Sequence, residues 1–425
     1  MNKRLKTLFS ILITPIILLS ACGSGKVSIS KLERVSNPDV ISSDIEKLVA
    51  GNTAFAFDLY NAVRNQDGNM VYSPYSISLA FAMAYGGAKG DTAAQMAETL
   101  HYTLPGEQFH PAVNALDLDL AGRPTEAAGV DEKDRFQLNI ANSLWGQDGW
   151  SFLPDYLDLL AINYGAGMRL VDFKIDPEGA RQQINDWTSD QTKNRIKDII
   201  PPGVIDILTR LVLVNAIYFK ATWEYEFEAN FTFDRQFSLL NGDIVSVPMM
   251  QDNQPKNLSY AAGDGWQAVA LPYKGGLTEM VIVLPDNGNF EAFESGLTLE
   301  EYEQFLAAME PQAVILSMPR FSFETRFGLK DILAGMGLQA AFDPNAADFS
   351  GIDGLRDLYI GDAIHKAFIA VDEKGTEAAA ATALVMMEAS LPQGIVLTID
   401  RPFFYVIRDV PTGTVLFMGR VVDPR

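Results

Sequence analysis

Apolar positions along this chain switch between two periods. Phe55, Leu59 and Val63, following Val49, recur at helical spacing, near the roughly 3.6-residue repeat that gathers side chains on one face. Ser73-Pro74-Tyr75-Ser76 opens a second helix with Ile77, Ala80, Phe81 and Ala84 on one side. Residues 153–164, 178–192 and 327–336 also read as helices, the middle one capped near Asp176-Pro177. Residues 136–145 alternate and predict a strand, and 211–219 form an apolar run of strand length interrupted by Asn215. Further strands are expected at 266–273, 280–284, 314–323, 365–371, 403–407 and 415–421. Residues 23–47 are polar and Ser-rich, a tether leading into the first helix. The stretch 104–131, with its Pro, Gly and acidic residues, predicts a loop around part of a helix. Strands and helices intermix without strict alternation, and no repeat or linker interrupts 49–425. This implies one large α+β domain with mostly antiparallel sheets.

The strand at 365–371 runs into Asp372-Glu373-Lys374-Gly375-Thr376-Glu377-Ala378-Ala379-Ala380-Ala381-Thr382-Ala383, a run of tiny side chains entered through one glycine. Propensity alone predicts a helix, with Thr376 as its cap and Glu377 in its first turn. As a strand, the segment would put Thr376, Ala378, Ala380 and Thr382 on one face and Glu377, Ala379, Ala381 and Ala383 on the other. The first face carries no charge and nothing large. Such a segment tolerates both states and suits a loop that becomes a strand later. Bulkier residues follow through Pro392.

Charge narrows the function. The formal net charge is −21. Residues 1–21 hold Lys3, Arg4 and Lys6 and no acid, so without them it becomes −24. A surface that acidic repels nucleic acid and sulfated polymers. Cys22 is the only cysteine, which rules out intrachain disulfides and zinc sites built from several cysteines. The histidines are His101, His110 and His365, with no acid–nucleophile pattern beside them. Gly-x-Ser-x-Gly, His-Glu-x-x-His and Walker motifs are absent, and Asp117-Leu118-Asp119 lacks the rest of a calcium loop. The glycines of residues 86–90 follow a helix and read as its C-terminal cap, not as a phosphate cradle. No metal, cofactor or enzymatic activity is expected.

Residues 1–6 are basic and 7–19 are apolar, shorter than the ~20 residues a membrane-spanning helix needs. Leu19-Ser20-Ala21-Cys22-Gly23 resembles a bacterial lipobox. The expectation is a signal peptide at 1–21, a lipidated Cys22 and tether at 22–48, and a folded domain at 49–425. Several acyl chains on one cysteine would anchor the protein stably to a membrane surface outside the cytoplasm.

Segments spread over 49–425 together resemble the serpin family. They are Val71-Tyr72-Ser73-Pro74-Tyr75-Ser76-Ile77, Ile184-Asn185-Asp186-Trp187, Ile196-Lys197-Asp198-Ile199-Ile200 and Leu213-Val214-Asn215-Ala216-Ile217-Tyr218-Phe219-Lys220-Ala221-Thr222-Trp223. Val247-Pro248-Met249-Met250, Met318-Pro319-Arg320-Phe321, the block from His365 to Ala379, Arg401-Pro402-Phe403-Phe404 and the block from Phe417 to Pro424 complete the series. The resemblance implies an α+β fold of three mainly antiparallel sheets and about nine helices, with an exposed reactive-centre loop near 375–400. It implies a monomer that traps a serine protease as a covalent acyl complex when its cut loop inserts into the large sheet.

The resemblance also implies site residues. Counting from Glu373 puts the scissile bond at Ala389–Ser390, with Met387, Glu388 and Leu391 as alternative specificity residues. A small residue there suits an elastase-like or subtilisin-like pocket. Gly375, Thr376, Glu377, Ala378, Ala379, Ala380, Ala381 and Thr382 form the hinge. Ser73, Ser76, Asn215 and His365 fall where the family keeps a polar cluster beneath the opening of the sheet. Trp223, Arg320 and Glu373 fall where insertion begins, with an Arg320–Glu373 ion pair expected.

Overall fold

A computed structural model of the protein describes residues 26–126, 129–376 and 394–425. In chain order its elements are β1 (Val27–Ser28), α1 (Ser42–Val63), β2 (Met70–Tyr72), α2 (Pro74–Tyr85), α3 (Gly90–Thr99), α4 (Gly106–Glu126), β3 (Gln137–Gln147), α5 (Pro154–Tyr164), β4 (Met168–Val171), α6 (Pro177–Gln191) and β5 (Leu211–Thr222). There follow β6 (Phe233–Ser238), β7 (Ile244–Gln251), β8 (Lys256–Gly263), β9 (Trp266–Pro272), β10 (Thr278–Pro285), α7 (Phe290–Gly296), α8 (Leu299–Ala308), β11 (Glu310–Pro319), β12 (Phe321–Gly328), α9 (Leu329–Gly335), α10 (Ser350–Asp353), β13 (Asp362–Asp372), β14 (Gly375–Thr376), β15 (Ile395–Thr398), β16 (Phe403–Asp409) and β17 (Val415–Val421).

Among the described residues, seven strands form the first sheet, in the order β1-β4-β3-β5-β14-β13-β12. Its centre is a parallel pair: β13 runs beside β5 from Asp362↔Val212 to Phe368↔Tyr218. Beyond that level β14 lies between them, antiparallel to both. The other ten strands form one hydrogen-bonded network. It divides at β11, where residues 310–314 pair with β8, 317–319 with β7 and 314–317 with β15 in parallel. Counted on either side of that division, the fold has three mainly antiparallel sheets, as expected. Ten helices are present among the described residues, the four-residue α10 included.

The two faces of β5 explain how the first sheet is covered. Val212, Val214 and Ala216 join Ala180, Ile184, Ile196, Ile199 and Ile200 in a cluster under α6 and its connector. Leu211, Leu213, Ile217 and Phe219 point the other way into the main core, as the two-residue strand period requires. Asn215 sits on this second face, toward α2.

Several expectations change. The stretch 104–131 is largely α4, a 21-residue helix with Pro111 and Pro124 inside it. Buried Phe109, Ala112, Val113, Leu116 and Leu120 outweigh the proline penalty by packing on one side. The strand expected at 314–323 is two strands, β11 and β12, separated at Arg320, whose N–H donates to Pro248 O at 3.0 Å. The first helix begins at Ser42, and the tether is bonded to the body from Lys26 onward. β1 pairs with β4, Val35 N–H donates to Ile162 O at 3.0 Å, and Arg34 bonds Asp117 at 2.6 Å and Asn114 at 2.7 Å. The glycine reading stands at Gly86, which follows the last turn of α2 and donates its N–H to Ala82 O.

Candidate functional site

The four residues expected beneath the sheet opening converge. Ser73 caps α2 by accepting from Ser76 N–H at 3.1 Å, and its own N–H donates to His365 Nε2 at 3.1 Å. Nε2 is therefore the acceptor nitrogen, and Nδ1–H donates to Asn215 Oδ1. Asn215 Nδ2 donates to Ser76 O at 2.7 Å, to Ser76 Oγ at 2.6 Å and to Asn142 Oδ1. Asn142 Nδ2 in turn donates to Ser76 O at 3.1 Å. Ser73, Ser76, Asn215 and His365 are fully buried. Burial pushes the His365 ring down to about 3, so it is neutral. Asn142 on β3 completes the cluster and was not foreseen. Its only sequence signal is a polar residue within an alternating strand, which does not distinguish it from a solvent-facing position.

Higher in the same sheet, Trp223 directly follows β5 and grips the turn after β13. Its N–H donates to Lys374 O at 2.7 Å and its indole N–H to Asp372 O at 3.0 Å. Glu373 points inward and is 4% exposed. Its Oε1 accepts from Thr232 Oγ1 at 2.7 Å and lies 3.6 Å from Arg320 Nη1, while Oε2 has no hydrogen-bond partner among the described residues. The expected Arg320–Glu373 pair is thus present, at long range.

Two hinge residues, Gly375 and Thr376, lie between β5 and β13 as β14. Gly375 is opposite Thr222 and Thr376 opposite Ala221. A Cβ on Gly375 would sit 2.0 Å from Ala221 O, so only glycine allows this approach. Thr376 is buried, and its hydroxyl meets Tyr273 Oη at 2.8 Å. Tyr273 was not singled out in the sequence, where an aromatic at a strand end reads as core. Glu377, Ala378, Ala379, Ala380, Ala381, Thr382, the Ala389–Ser390 bond, its alternatives Met387, Glu388 and Leu391, and Cys22 lie outside the described residues.

The other histidines serve the scaffold. His101 bonds Asp58 and His110 bonds Tyr164, each at 2.7 Å. Among the described residues no group of three or more His, Cys, Asp or Glu side chains could hold a metal, and no helix is long and apolar enough to cross a membrane.

Gly375 and Thr376, which the resemblance put at the start of an exposed loop, are thus seated in the sheet between two parallel neighbours, above a buried polar cluster. The family model described as Serpin (serine protease inhibitor) matches residues 50–424. The chain is a serpin. It is 39% identical to a serpin-like protein of Thermococcus kodakarensis over 393 residues, covering 91% of this chain and 88% of that one. It is 37% identical to the leukocyte elastase inhibitor of Homo sapiens over 389 residues, covering 89% of this serpin and all of the relative. The native-state structure of the thermophilic serpin tengpin superposes with a TM-score of 0.81 at 26% identity, covering 94% of this chain and 99% of that one.

Proposed function

We propose that this serpin is a suicide-substrate inhibitor of serine proteases with elastase-like or subtilisin-like specificity. The observation that carries the reading is β14: the chain has already begun an antiparallel strand between the parallel β5 and β13. Continuing that strand needs residues that can be buried in a sheet, and the succeeding face of Ala378, Ala380 and Thr382 is small and uncharged.

In this reading the protease serine attacks the carbonyl carbon of Ala389. The peptide bond to Ser390 breaks, Ser390 leaves as a free amine, and an acyl-enzyme ester remains on Ala389. The freed segment then extends β14 downward, separating β13 from β5 and dragging the ester-linked protease before water can reach it. The uncut fold is kinetically trapped, because the added strand pairing becomes available only after the cut. The Ser73–Ser76–Asn215–His365 cluster spans the line that must part. Trp223, Arg320 and Glu373 frame its upper end. The protein acts as an inhibitor rather than an enzyme, needs no cofactor, and works as a monomer.

Localisation completes the proposal. Cys22, lipidated after removal of residues 1–21, anchors the serpin to the outer side of a cytoplasmic membrane or to the cell surface. Cys22→Ser should release it from the membrane fraction, and retention there would reject the anchor.

The test of inhibition is incubation with a panel of elastase- and subtilisin-type enzymes. An SDS-stable complex is expected, and mass spectrometry should find the new amino terminus at Ser390. Clean cleavage without any complex would sink the inhibitory reading and favour a binding protein on the serpin fold.

A further inference from the structure

We infer that Tyr273 is a positioning residue for strand insertion: its hydroxyl, bonded to Thr376, keeps the first inserted residues in place before any protease arrives. The inference deepens the inhibitory reading and rests on it for its kinetic consequence.

Tyr273 follows β9 in the second network, so its bond to Thr376 ties the start of the new strand to a different sheet. Both side chains are buried, Tyr273 completely and Thr376 to 1% exposure. The two hydroxyls lie 2.8 Å apart. Breaking that bond without replacement would strand two buried polar groups, which is unfavourable. The phenol cannot swing aside. Its ring stacks on Trp223 at 4.5 Å between centroids and 9° between planes, and Phe219 meets it edge-on at 5.3 Å. Trp223 meanwhile bonds the carbonyls of Asp372 and Lys374. One stacked pair therefore grips the turn with its indole and the strand start with its phenol.

The consequence is kinetic. A strand grows more readily from residues already ordered than from a free chain end, because their conformational entropy has been lost beforehand. After acylation, insertion competes with deacylation. Weakening the Tyr273–Thr376 bond lets β14 leave the sheet more often, slows insertion, and leaves more enzyme free to hydrolyse the ester.

The experiment compares wild type with Tyr273→Phe, Thr376→Val and the double variant. With a protease that forms a complex with wild type, either single change should raise the ratio of cleaved to complexed serpin about two- to tenfold, the effect of one lost hydrogen bond. The rate of acylation should stay unchanged, and the double variant should be no worse than the poorer single one. An unaltered ratio in both single variants, or a lower one, would overturn the proposal. A second measurement needs no protease. In Tyr273→Phe the backbone amides of Gly375 and Thr376 should exchange hydrogen several-fold faster, with β9 unaffected. Equal protection would overturn the proposal even if no protease target were found, whereas a wild type that complexes no enzyme would defeat only the inhibitory reading.

Discussion

His365 on β13 and Asn215 on β5 face each other in register across the parallel pair, and the imidazole Nδ1–H donates to the amide oxygen. The ring is neutral because burial lowers its pKa to about 3. That couples the line between β5 and β13 to acid. Near pH 7 the ring is neutral in both folded and unfolded chains. Below about 6.5, the ordinary histidine value, the unfolded chain takes a proton that the folded one refuses. Stability therefore falls as pH falls, until about pH 3, by at most ~1.4 kcal/mol per pH unit. His365→Gln removes this dependence whatever its effect at neutral pH. Denaturant unfolding at pH 7 and pH 5 should show the variant losing about 2 kcal/mol less than wild type over that interval. Equal losses would mean that the ring is not held neutral.

Arg320 and Glu373 pair at 3.6 Å, yet Arg320 remains 44% exposed. An ion pair with one end in water contributes little. A double-mutant cycle with alanine at both positions should give a coupling below about 1 kcal/mol. Glu373→Ala alone should cost more, about 1–3 kcal/mol, because it leaves the Thr232 hydroxyl without its acceptor and opens a buried gap. A large coupling would show that the charge pair itself braces the upper end of the sheet.

Legibility in the sequence followed how local each feature is. Asn215 stood out because a polar amide inside an apolar strand needs buried partners, and the structure supplies Ser76, His365 and Asn142. Asn142 and Tyr273 did not stand out, since what makes each of them matter is a contact with a distant segment: Ser76 is 66 residues from Asn142, and Thr376 is 103 from Tyr273. The α4 helix was hidden by its prolines, and the break at Arg320, although Pro319 marks it, by the apolar β-forming residues that lie before and after it. Short α3, α7 and α8 and strands β4, β6, β7 and β8 passed unnoticed. Several of them, such as β6 and α3, bury only a few side chains, so their apolar period is weak. At Gly375 and Thr376 propensity favoured helix, and pairing between β5 and β13 decided for strand.

Asp252 directly follows β7, buried beside Leu316. Its N–H donates to Leu316 O at 2.9 Å, and its Oδ2 accepts from Leu316 N–H at 3.2 Å. Burial pushes its carboxyl up to about 6. Above that value the folded chain must carry a poorly solvated charge, so this residue destabilises the fold at neutral pH. The penalty is relieved as pH falls from about 6 toward the ordinary aspartate value near 4. Asp252→Asn keeps the shape and the acceptor. It should raise unfolding stability by about 3 kcal/mol at pH 7.5 and by well under ~1 kcal/mol at pH 4. A gain that does not vary with pH would point to a cause other than titration.

α6 covers the first sheet, and the contact that fastens it to the edge is aromatic. The Arg169 guanidinium on β4 lies 4.4 Å from the ring centre of Trp187 on α6 and 5.5 Å from that of Trp145 on β3. The two indoles meet nearly edge to face at 5.7 Å. Partial burial lowers the guanidinium pKa, but the group stays charged at neutral pH. A desolvated cation over an aromatic face contributes about 1–2 kcal/mol. On the far side the connector after α6 is tied to β13 through Lys366, whose Nζ donates to Lys197 O at 3.0 Å. α6 and its connector thus bridge both halves of the sheet, at β4 through the arginine and at β13 through the Lys366 hydrogen bond and the packing of Ile364 and Phe368. Arg169→Met keeps the aliphatic contact and deletes the cation. Combined with Trp187→Leu in a double-mutant cycle, it should show a coupling near 1 kcal/mol in chemical unfolding. Strict additivity would mean that apolar packing of Ala180 and Ile184 alone holds α6 down, and that the arginine could be replaced without loosening the helix.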